Sequence, residues 1–166
     1  MPNSPKYLYW DTCVFLSYLK RTPARWPTIS ALFTEIQQSQ GTRKIVTSRI
    51  TYAEVVYIEF DKSTGFSLDE EQRLDEFWSD YHVITFIEST EEIMRLTRDL
   101  KRHAVQQGWK LQLPDAIHLA SAQWLAQFAT DNIVFHTYNT QDFQKFSSLM
   151  QFPICEPSVD QPPLFP

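Results

Sequence analysis

Short apolar runs alternate along this chain with longer stretches in which apolar residues recur every three or four positions. The short runs are typical of buried strands and cover residues 6–11, 44–47, 81–87, 132–137 and 152–155. The longer stretches predict helices at residues 12–20, 27–38, 48–58, 67–80, 89–107, 113–128 and 141–148. Strands that alternate with helices in this way predict an α/β fold with a parallel sheet covered on both faces.

Polar and turn-forming residues mark where these elements begin and end. Ser48 is placed to cap the helix that carries Glu54, and Ser67–Glu70 has the spacing of a capping box. Gly41 and Gly108 end the helices that precede them. We expect one domain over residues 1–156, followed by a mobile, proline-rich tail over residues 157–166.

The composition excludes several functional classes. The chain has 166 residues, 43% of them apolar, which suffices for a sizeable core. Its 3 glycines are too few for the glycine-rich phosphate loops of nucleotide-binding folds. Its 2 cysteines, Cys13 and Cys155, form no CxxC motif, which excludes a zinc knuckle and a thioredoxin-type site. The sequence shows no signal-peptide pattern and no apolar run near the roughly 18 residues that span a bilayer, so we expect a reduced, cytoplasmic setting without membrane association.

The formal net charge of −5 argues mildly against sequence-independent binding of nucleic acid, because proteins that bind in this way are usually basic. A carboxylate cluster neutralised by metal would account for several of the negative charges. The basic residues gather in three groups, each of which suits either a solvated helix face or a set of phosphate contacts. The groups are Lys20, Arg21 and Arg25; Arg43, Lys44 and Arg49; and Arg95, Arg98, Lys101 and Arg102 with Lys110.

Four short acidic motifs fall where the predicted sheet would bring them to one edge. They are Tyr9–Thr12, Thr51–Val55, Leu113–His118 and Thr137–Phe143. Ligands bind beyond the C-terminal ends of parallel strands, and Asp11 follows one such end while Asn139 and Asp142 follow another. Glu54 and Asp115 lie in helices, or at their starts, beside these strands. Three hydroxyl groups could orient a carboxylate or a water at the same edge, those of Thr12, Ser48 and Thr137.

Carboxylates gathered at one edge repel one another unless a cation lies between them. Two carboxylates about 4 Å apart repel by roughly 4 kcal/mol at an effective dielectric near 20, and a whole domain is stable by only about 5–15 kcal/mol. A hard divalent cation such as Mg²⁺ or Mn²⁺ removes that cost. The leading interpretation is therefore metal-assisted hydrolysis of phosphodiesters, with Asp11, Glu54 and Asp115 as metal ligands and Asp142 as a further acid of the site.

Each of these residues also suits an ordinary structural role. Asp11 and Asp115 suit a helix cap or a first helical turn, and Glu54 suits a partly exposed helix position. Asn139 suits a turn, with Asp142 capping the helix that follows. His118, three residues after Asp115, is placed either to contact that carboxylate or to serve a structural purpose.

The order and spacing of the four motifs resemble the PIN-domain nuclease family, in particular its VapC-like ribonuclease toxins. The resemblance extends from Tyr7 to about Phe152. Its closest match is the segment Leu113–Ala122, LPDAIHLASA. Asp11–Thr12 resembles the first acidic motif of the family, Ser48–Glu54 the second, and Thr137–Asn139 with Asp142–Phe143 the last.

This resemblance implies a compact three-layer α/β/α sandwich with a small central parallel sheet. It implies Mg²⁺- or Mn²⁺-dependent cleavage of single-stranded RNA, with Asp11, Glu54 and Asp115 as metal ligands. Many members of the family have an acid where Asn139 stands, so either Asn139 or Asp142 is left as the fourth ligand. The resemblance also implies the toxin of a toxin–antitoxin pair, which forms a homodimer and is silenced by a small antitoxin protein.

Two other functional classes compete with the nuclease. A phosphatase of the haloacid-dehalogenase type also places Asp after its first strand, but it needs a second Asp where Cys13 stands, and the acid pair and late lysine of a receiver domain are absent. A non-catalytic PIN-like module that binds RNA or protein would keep the fold, and the acidic net charge favours it. Metal-dependent cleavage of RNA separates this module from an enzyme.

Large aromatic residues outside the proposed site predict the dimer surface. They are Trp26, Phe33, Tyr57, Phe60, Phe77 and Trp78. Some must line the core, and we expect the surplus to form an exposed patch on the early helices that another copy of the chain covers.

Overall fold

The computed structural model describes residues 6–55, 72, 75–79, 83–129 and 132–159. Several predictions fall outside this part of the chain. They include the capping box at Ser67–Glu70, the aromatic residues Tyr57 and Phe60, and most of the tail from residue 157 onward.

The centre of the molecule is a five-stranded parallel sheet. Its strands are β1 (Tyr7–Trp10), β2 (Lys44–Ser48), β3 (Ile84–Ile87), β4 (Ile133–His136) and β5 (Ile154–Cys155), in the order β3-β2-β1-β4-β5. Every neighbouring pair is parallel. The register places Tyr9 beside Val46 on one side and Phe135 on the other. All five strands are near the positions that the apolar runs predict.

Helices connect the strands and cover the sheet. They are α1 (Thr12–Leu19), α2 (Trp26–Gln38), α3 (Glu91–Gln106), α4 (Leu113–Ala126) and the short α5 (Thr140–Phe143), which a 3₁₀ helix (Gln144–Leu149) continues. Residues 50–55 and 75–78 are also helical. In the described part of the chain, no helix combines the length and apolar character needed to cross a membrane.

Two hydrophobic cores lie on opposite faces of the sheet, because successive residues of a strand point to opposite sides. In β1, Tyr9 belongs to the core that contains residues of α3 and α4. Its neighbours Leu8 and Trp10 belong to the core that contains residues of α1 and α2. This arrangement is the expected three-layer α/β/α sandwich.

Three of the aromatic residues proposed for an exposed patch, Phe33, Phe77 and Trp78, pack in the core, whereas Trp26 is half-buried, so the patch itself stays a prediction. Phe33 and Trp78 are only 6% and 2% exposed. Phe77 is partly buried against the same core, and its ring stacks on those of Phe33 and Tyr18 with centroids 5.6 and 5.4 Å apart. These rings fill the space between the early helices and the residues 75–78 helix, and the core itself therefore accounts for them.

The strand order reverses direction at β1. From β1 the chain first adds β2 and β3 on one side of the sheet, and it adds β4 and β5 on the other side. A crevice forms beyond the C-terminal ends of strands where this reversal occurs. Asp11 directly follows β1 and Thr137 directly follows β4, so both residues lie at this crevice.

Candidate active site

Asp11 is a buried carboxylate that several donors hold in place. It is the N-cap of α1, and its Oδ1 accepts from the backbone N–H of Val14 (3.3 Å) and from the Cys13 thiol (2.8 Å). Its Oδ2 accepts from the Thr137 hydroxyl at 2.6 Å. Burial raises the pKa of Asp11, although His118 and these donors oppose the rise. Asp11 therefore both caps α1 and belongs to the polar site.

Glu54 enters the site from the helical residues 50–55. Its Oε2 accepts from the Thr12 hydroxyl at 2.5 Å and lies 2.8 Å from Nε2 of His118. The glutamate side chain is 19% exposed and the histidine 2% exposed. Burial acts to raise the pKa of Glu54, but His118 and Thr12 together bring it below its ordinary value. Glu54 is therefore held as a carboxylate that points inward.

His118 connects the acidic edge to the strand beneath it. Its Nδ1 lies 2.9 Å from the Tyr9 hydroxyl, and its Nε2 also lies 3.1 Å from Oγ1 of Thr12. Since a carboxylate can only accept, the hydrogen on Nε2 points toward Glu54. The Tyr9 phenol stays protonated because burial raises its pKa well above the ordinary value. Both ring nitrogens thus have partners, and these fix the orientation of the ring. His118 does not make the hydrogen bond to Asp115 that its spacing suggested, since its ring meets Glu54 and Thr12.

Asp115 lies in the first turn of α4, after Pro114, and is half-buried. Its pKa is raised to about 6, first by burial and then by the negative charges of Asp11, Glu54 and Asp142, while His118 opposes the rise. The sequence-predicted acids are thus close enough to act on one another electrostatically. The negative charge of Asp115 is therefore unfavourable in this environment.

Asn139 and Asp142 lie at the rim of the site. Asn139 is the N-cap of α5, although its side chain makes no capping bond, and its backbone N–H donates to Oγ1 of Thr137 (2.9 Å). Asp142 is exposed, lies in the first turn of α5 rather than at its cap, and approaches Lys145 within 3.7 Å. The prediction that Asp142 caps this helix is therefore wrong.

Ser48 supports the site from below. It is fully buried at the end of β2, and its hydroxyl accepts from the backbone N–H of Ile50 at 3.4 Å. This contact caps the helical residues 50–55, as predicted from the sequence. Glu54 lies one turn into that helix, so Ser48 helps to fix the position of the Glu54 side chain.

The donor set suits a hard divalent cation in its chemistry. It offers carboxylate and hydroxyl oxygens, and a cation would relieve the repulsion that raises the pKa of Asp115. Within the residues that the structure describes, no group of three or more His, Cys, Asp or Glu side chains is arranged as a ligand set. Asp11 and Glu54 instead direct oxygens to hydrogen-bond donors of the chain. Binding of a metal by the predicted trio remains a prediction.

Three residues of this network were not predicted from the sequence in these roles: Tyr9, Cys13 and His118. Tyr9 and His118 each place a polar tip inside an apolar segment, and buried Tyr hydroxyls and imidazoles need partners. The need of both side chains for a buried polar partner was the signal in the sequence that pointed to their contact. The contact of Cys13 with the backbone N–H of Tyr138 (3.2 Å) had no such signal, because it depends on the position of the end of β4.

Comparison with known proteins agrees with this architecture. The family model described as PIN domain matches residues 8–147. No curated protein matches the sequence.

Solved structures of similar fold include VapBC2 from Rickettsia felis bound to a DNA fragment from their promoter, at 17% identity over 90% of this chain and 97% of that chain, with a TM-score of 0.64. VapBC-1 from nontypeable Haemophilus influenzae is 20% identical over 90% and 96%, with a TM-score of 0.62. VapBC-5 from Mycobacterium tuberculosis, a member of the VapBC family of toxin-antitoxin systems, is 19% identical over 92% and 99%, with a TM-score of 0.56. At these identities the likeness concerns the fold.

Proposed function

The chain belongs to the PIN-domain family, and from this membership we propose that it is a metal-dependent endoribonuclease that hydrolyses phosphodiester bonds of single-stranded RNA. The observation that carries the proposal is the electrostatic coupling of the acids at the sheet edge. Asp11, Glu54 and Asp142 all act to raise the pKa of Asp115. An edge that concentrates negative charge in this way suits a cation that must also meet the phosphates of a substrate.

In this mechanism Asp11, Glu54 and Asp115 would hold Mg²⁺ or Mn²⁺, with Asn139 or Asp142 as a further oxygen donor. When bound there, such an ion would lower the pKa of a water and offset charge on the phosphate in the transition state. Thr137 and Cys13 orient Asp11, and Thr12 and His118 orient Glu54. Two of the three carboxylates therefore have supporting donors that fix their direction, and these donors limit the reorganisation that catalysis requires.

The decisive experiment measures cleavage of a fluorogenic single-stranded RNA with Mn²⁺, with Mg²⁺ and with EDTA. Asp115→Asn should abolish cleavage while preserving the fold, because the variant keeps one oxygen and loses the charge. The matched control is Asp99→Asn on the exposed face of α3, which should cleave like the unmodified chain. Cleavage that survives EDTA would defeat the metal mechanism. A folded chain that binds RNA without metal-dependent cleavage would instead be the non-catalytic PIN-like module.

We propose further that the chain acts as the toxin of a toxin–antitoxin pair in the cytoplasm, with a small antitoxin protein as its partner. The similarity in fold to VapBC proteins supports this assignment. A homodimer is part of the same proposal, although Phe33, Phe77 and Trp78 pack in the core and do not argue for its surface. Sedimentation equilibrium at micromolar concentration tests the dimer, and a single species near the chain mass of 19.6 kDa would contradict it.

A further inference from the structure

The arginines of the described chain fall into two classes. Five of them form ion pairs with carboxylates, and these pairs lie on α2, α3, the end of β2 and the adjoining loop. The five are Arg43, Arg49, Arg95, Arg98 and Arg102. Arg21 and Arg25 have no carboxylate partner within the described residues, and each instead lies over an aromatic ring. The guanidinium carbon of Arg21 is 5.8 Å from the ring centre of Trp26, and that of Arg25 is 4.0 Å from the ring centre of Tyr138.

Arg25 is tied to the acidic edge on two sides. Its Nη1 donates to the Ser17 hydroxyl (3.3 Å), which in turn donates to the backbone oxygen of Cys13 (2.8 Å). The backbone N–H of Tyr138, on whose ring Arg25 stacks, donates to Sγ of the same Cys13. Cys13 donates to Asp11. Tyr138 is therefore two contacts from the Asp11 carboxylate, and Arg25 is three contacts from it through Ser17.

Arg21 occupies a backbone position that favours glycine. Its φ is +49°, in the left-handed region. The backbone N–H of Arg21 donates to the oxygen of Tyr18, and that of Thr22 donates to the oxygen of Ser17. This pair of bonds is the Schellman motif that ends α1, and its left-handed residue is usually glycine. The chain thus keeps a long cationic side chain where the backbone alone would be more stable with none.

From these contacts we infer that the turn between α1 and α2, together with Tyr138, is a binding subsite for single-stranded RNA, in which Arg21 and Arg25 meet phosphates and the Tyr138 ring stacks on a base. We call these three residues the arginine–tyrosine surface. Unpaired cations beside aromatic rings are the combination that binds single strands with little sequence preference. The inference rests on the proposed function in its choice of RNA. This surface would also be the place where a protein with a net charge of −5 attracts a polyanion.

Acidic groups near this surface do not neutralise it. Glu156, which is exposed, and Cys13 lie close enough to Tyr138 to interact with it electrostatically. Neither forms an ion pair with Arg25 within the described residues. The guanidinium of Arg25 therefore has no carboxylate partner among the described residues, and its positive charge stays beside the Tyr138 ring.

The test is a titration of the whole chain with a fluorescein-labelled single-stranded RNA of 12 nucleotides in EDTA, where binding needs no cleavage. Arg25→Gln should weaken binding about tenfold, and the slope of log affinity against log salt should fall by about 0.7 for one lost phosphate contact. Arg25→Lys should keep the salt slope but lose part of the affinity, because lysine keeps the charge without the planar stacking group. Arg95→Gln, on the exposed face of α3, is the charge-matched control and should bind like the unmodified chain.

Arg21→Gly separates this role from a structural one. Glycine relieves the left-handed backbone, so the variant should melt at a higher temperature and yet bind RNA more weakly. Gln40→Gly is the matched control, because Gln40 has φ +52° just after the C-cap of α2. It should also melt higher but bind RNA without change.

The proposal is overturned if the unmodified chain does not bind the RNA, or if Arg21→Gly and Arg25→Gln bind it as well as their controls. Unchanged RNA affinity with altered sedimentation would assign the surface to a protein partner and would equally overturn it. A chain that binds RNA through Arg25 but never hydrolyses it with Mn²⁺ would defeat the nuclease and leave the subsite intact.

Discussion

Thr137 donates a 2.6 Å hydrogen bond to Oδ2 of Asp11 and so joins residues that are 126 positions apart in the sequence. One residue follows β1 and the other follows β4, on the two sides of the reversal in strand order. The bond therefore links the two sides of the crevice in which the acids lie. Its removal tests how strongly the site and the fold depend on each other.

Thr137→Val should lower the free energy of unfolding by about 1–3 kcal/mol, because it leaves a buried carboxylate oxygen without its donor. Thr137→Ser should stay within about 0.5 kcal/mol, because it keeps the hydroxyl. Urea denaturation at neutral pH measures both. Thr34→Val removes an exposed hydroxyl that bonds to the Ser30 backbone oxygen, and it serves as the control. Equal effects of Thr137→Val and Thr34→Val would contradict the importance of the Asp11 contact.

His118→Ala should reduce both Mn²⁺ affinity and RNA cleavage by roughly 10- to 100-fold, as expected when a residue that orients a metal ligand is lost. His118→Gln should recover part of both, since its amide can still donate to Glu54. Mn²⁺ binding, followed by electron paramagnetic resonance, provides a readout that is independent of cleavage. Loss of stability in His118→Ala without any change in Mn²⁺ affinity would limit the histidine to a structural role.

Asp115 gives the metal-free protein a defined dependence on pH. Its pKa is about 6 in the folded chain and 3.8 as the ordinary value, so between about pH 4 and pH 6 the folded state holds a proton that the unfolded state has released. The folded state therefore binds more protons in this window, and the free energy of unfolding falls as the pH rises through it.

Urea denaturation in EDTA at several pH values should show this fall, measured as the difference between the unmodified chain and Asp115→Asn. The difference isolates Asp115 together with the acids that act on it, which are Asp11, Glu54 and Asp142. At pH 7.5, Mg²⁺ should stabilise the unmodified chain more than the variant, because a bound cation favours the carboxylate. A stability difference that does not change between pH 4 and pH 6 would contradict the assignment.

The two thiols should react slowly with a disulfide reagent at pH 8 in the folded protein. Burial raises the pKa of Cys155 to about 11, and burial together with Asp11 raises the pKa of Cys13 still further. Only the thiolate attacks, so Cys155→Ser, which leaves Cys13, should react more slowly than Cys13→Ser. Both should react rapidly in urea. A folded Cys155→Ser chain that reacts as fast as its unfolded form would show that Cys13 does not donate to Asp11.

The sequence predicts elements of this fold well where local signals are strong. Asp11 caps α1, as its place between a strand and helical spacing indicates, and α3 begins at Glu91, within two residues of the predicted start at residue 89. The alternation of Leu8, Tyr9 and Trp10 between two cores follows from the strand period. Contacts between distant residues carry no comparable local signal. The contact of Tyr9 with His118 requires the packing of α4 on β1. The burial of Phe33 and Trp78 depends on the volume between the helices, which the sequence does not specify.

The parallel connectivity also determines when, during synthesis, the protein can complete its acidic edge. β1 lies in the middle of the sheet, yet its neighbour β4 is made more than 120 residues later. During synthesis on a ribosome, Asp11 has no donor from Thr137 until the 126 residues that follow it have been made. Contacts between such distant segments also form slowly. A nascent chain of this design therefore completes the contact between Asp11 and Thr137 only after β1, β2, β3 and the helices between them have all been synthesised.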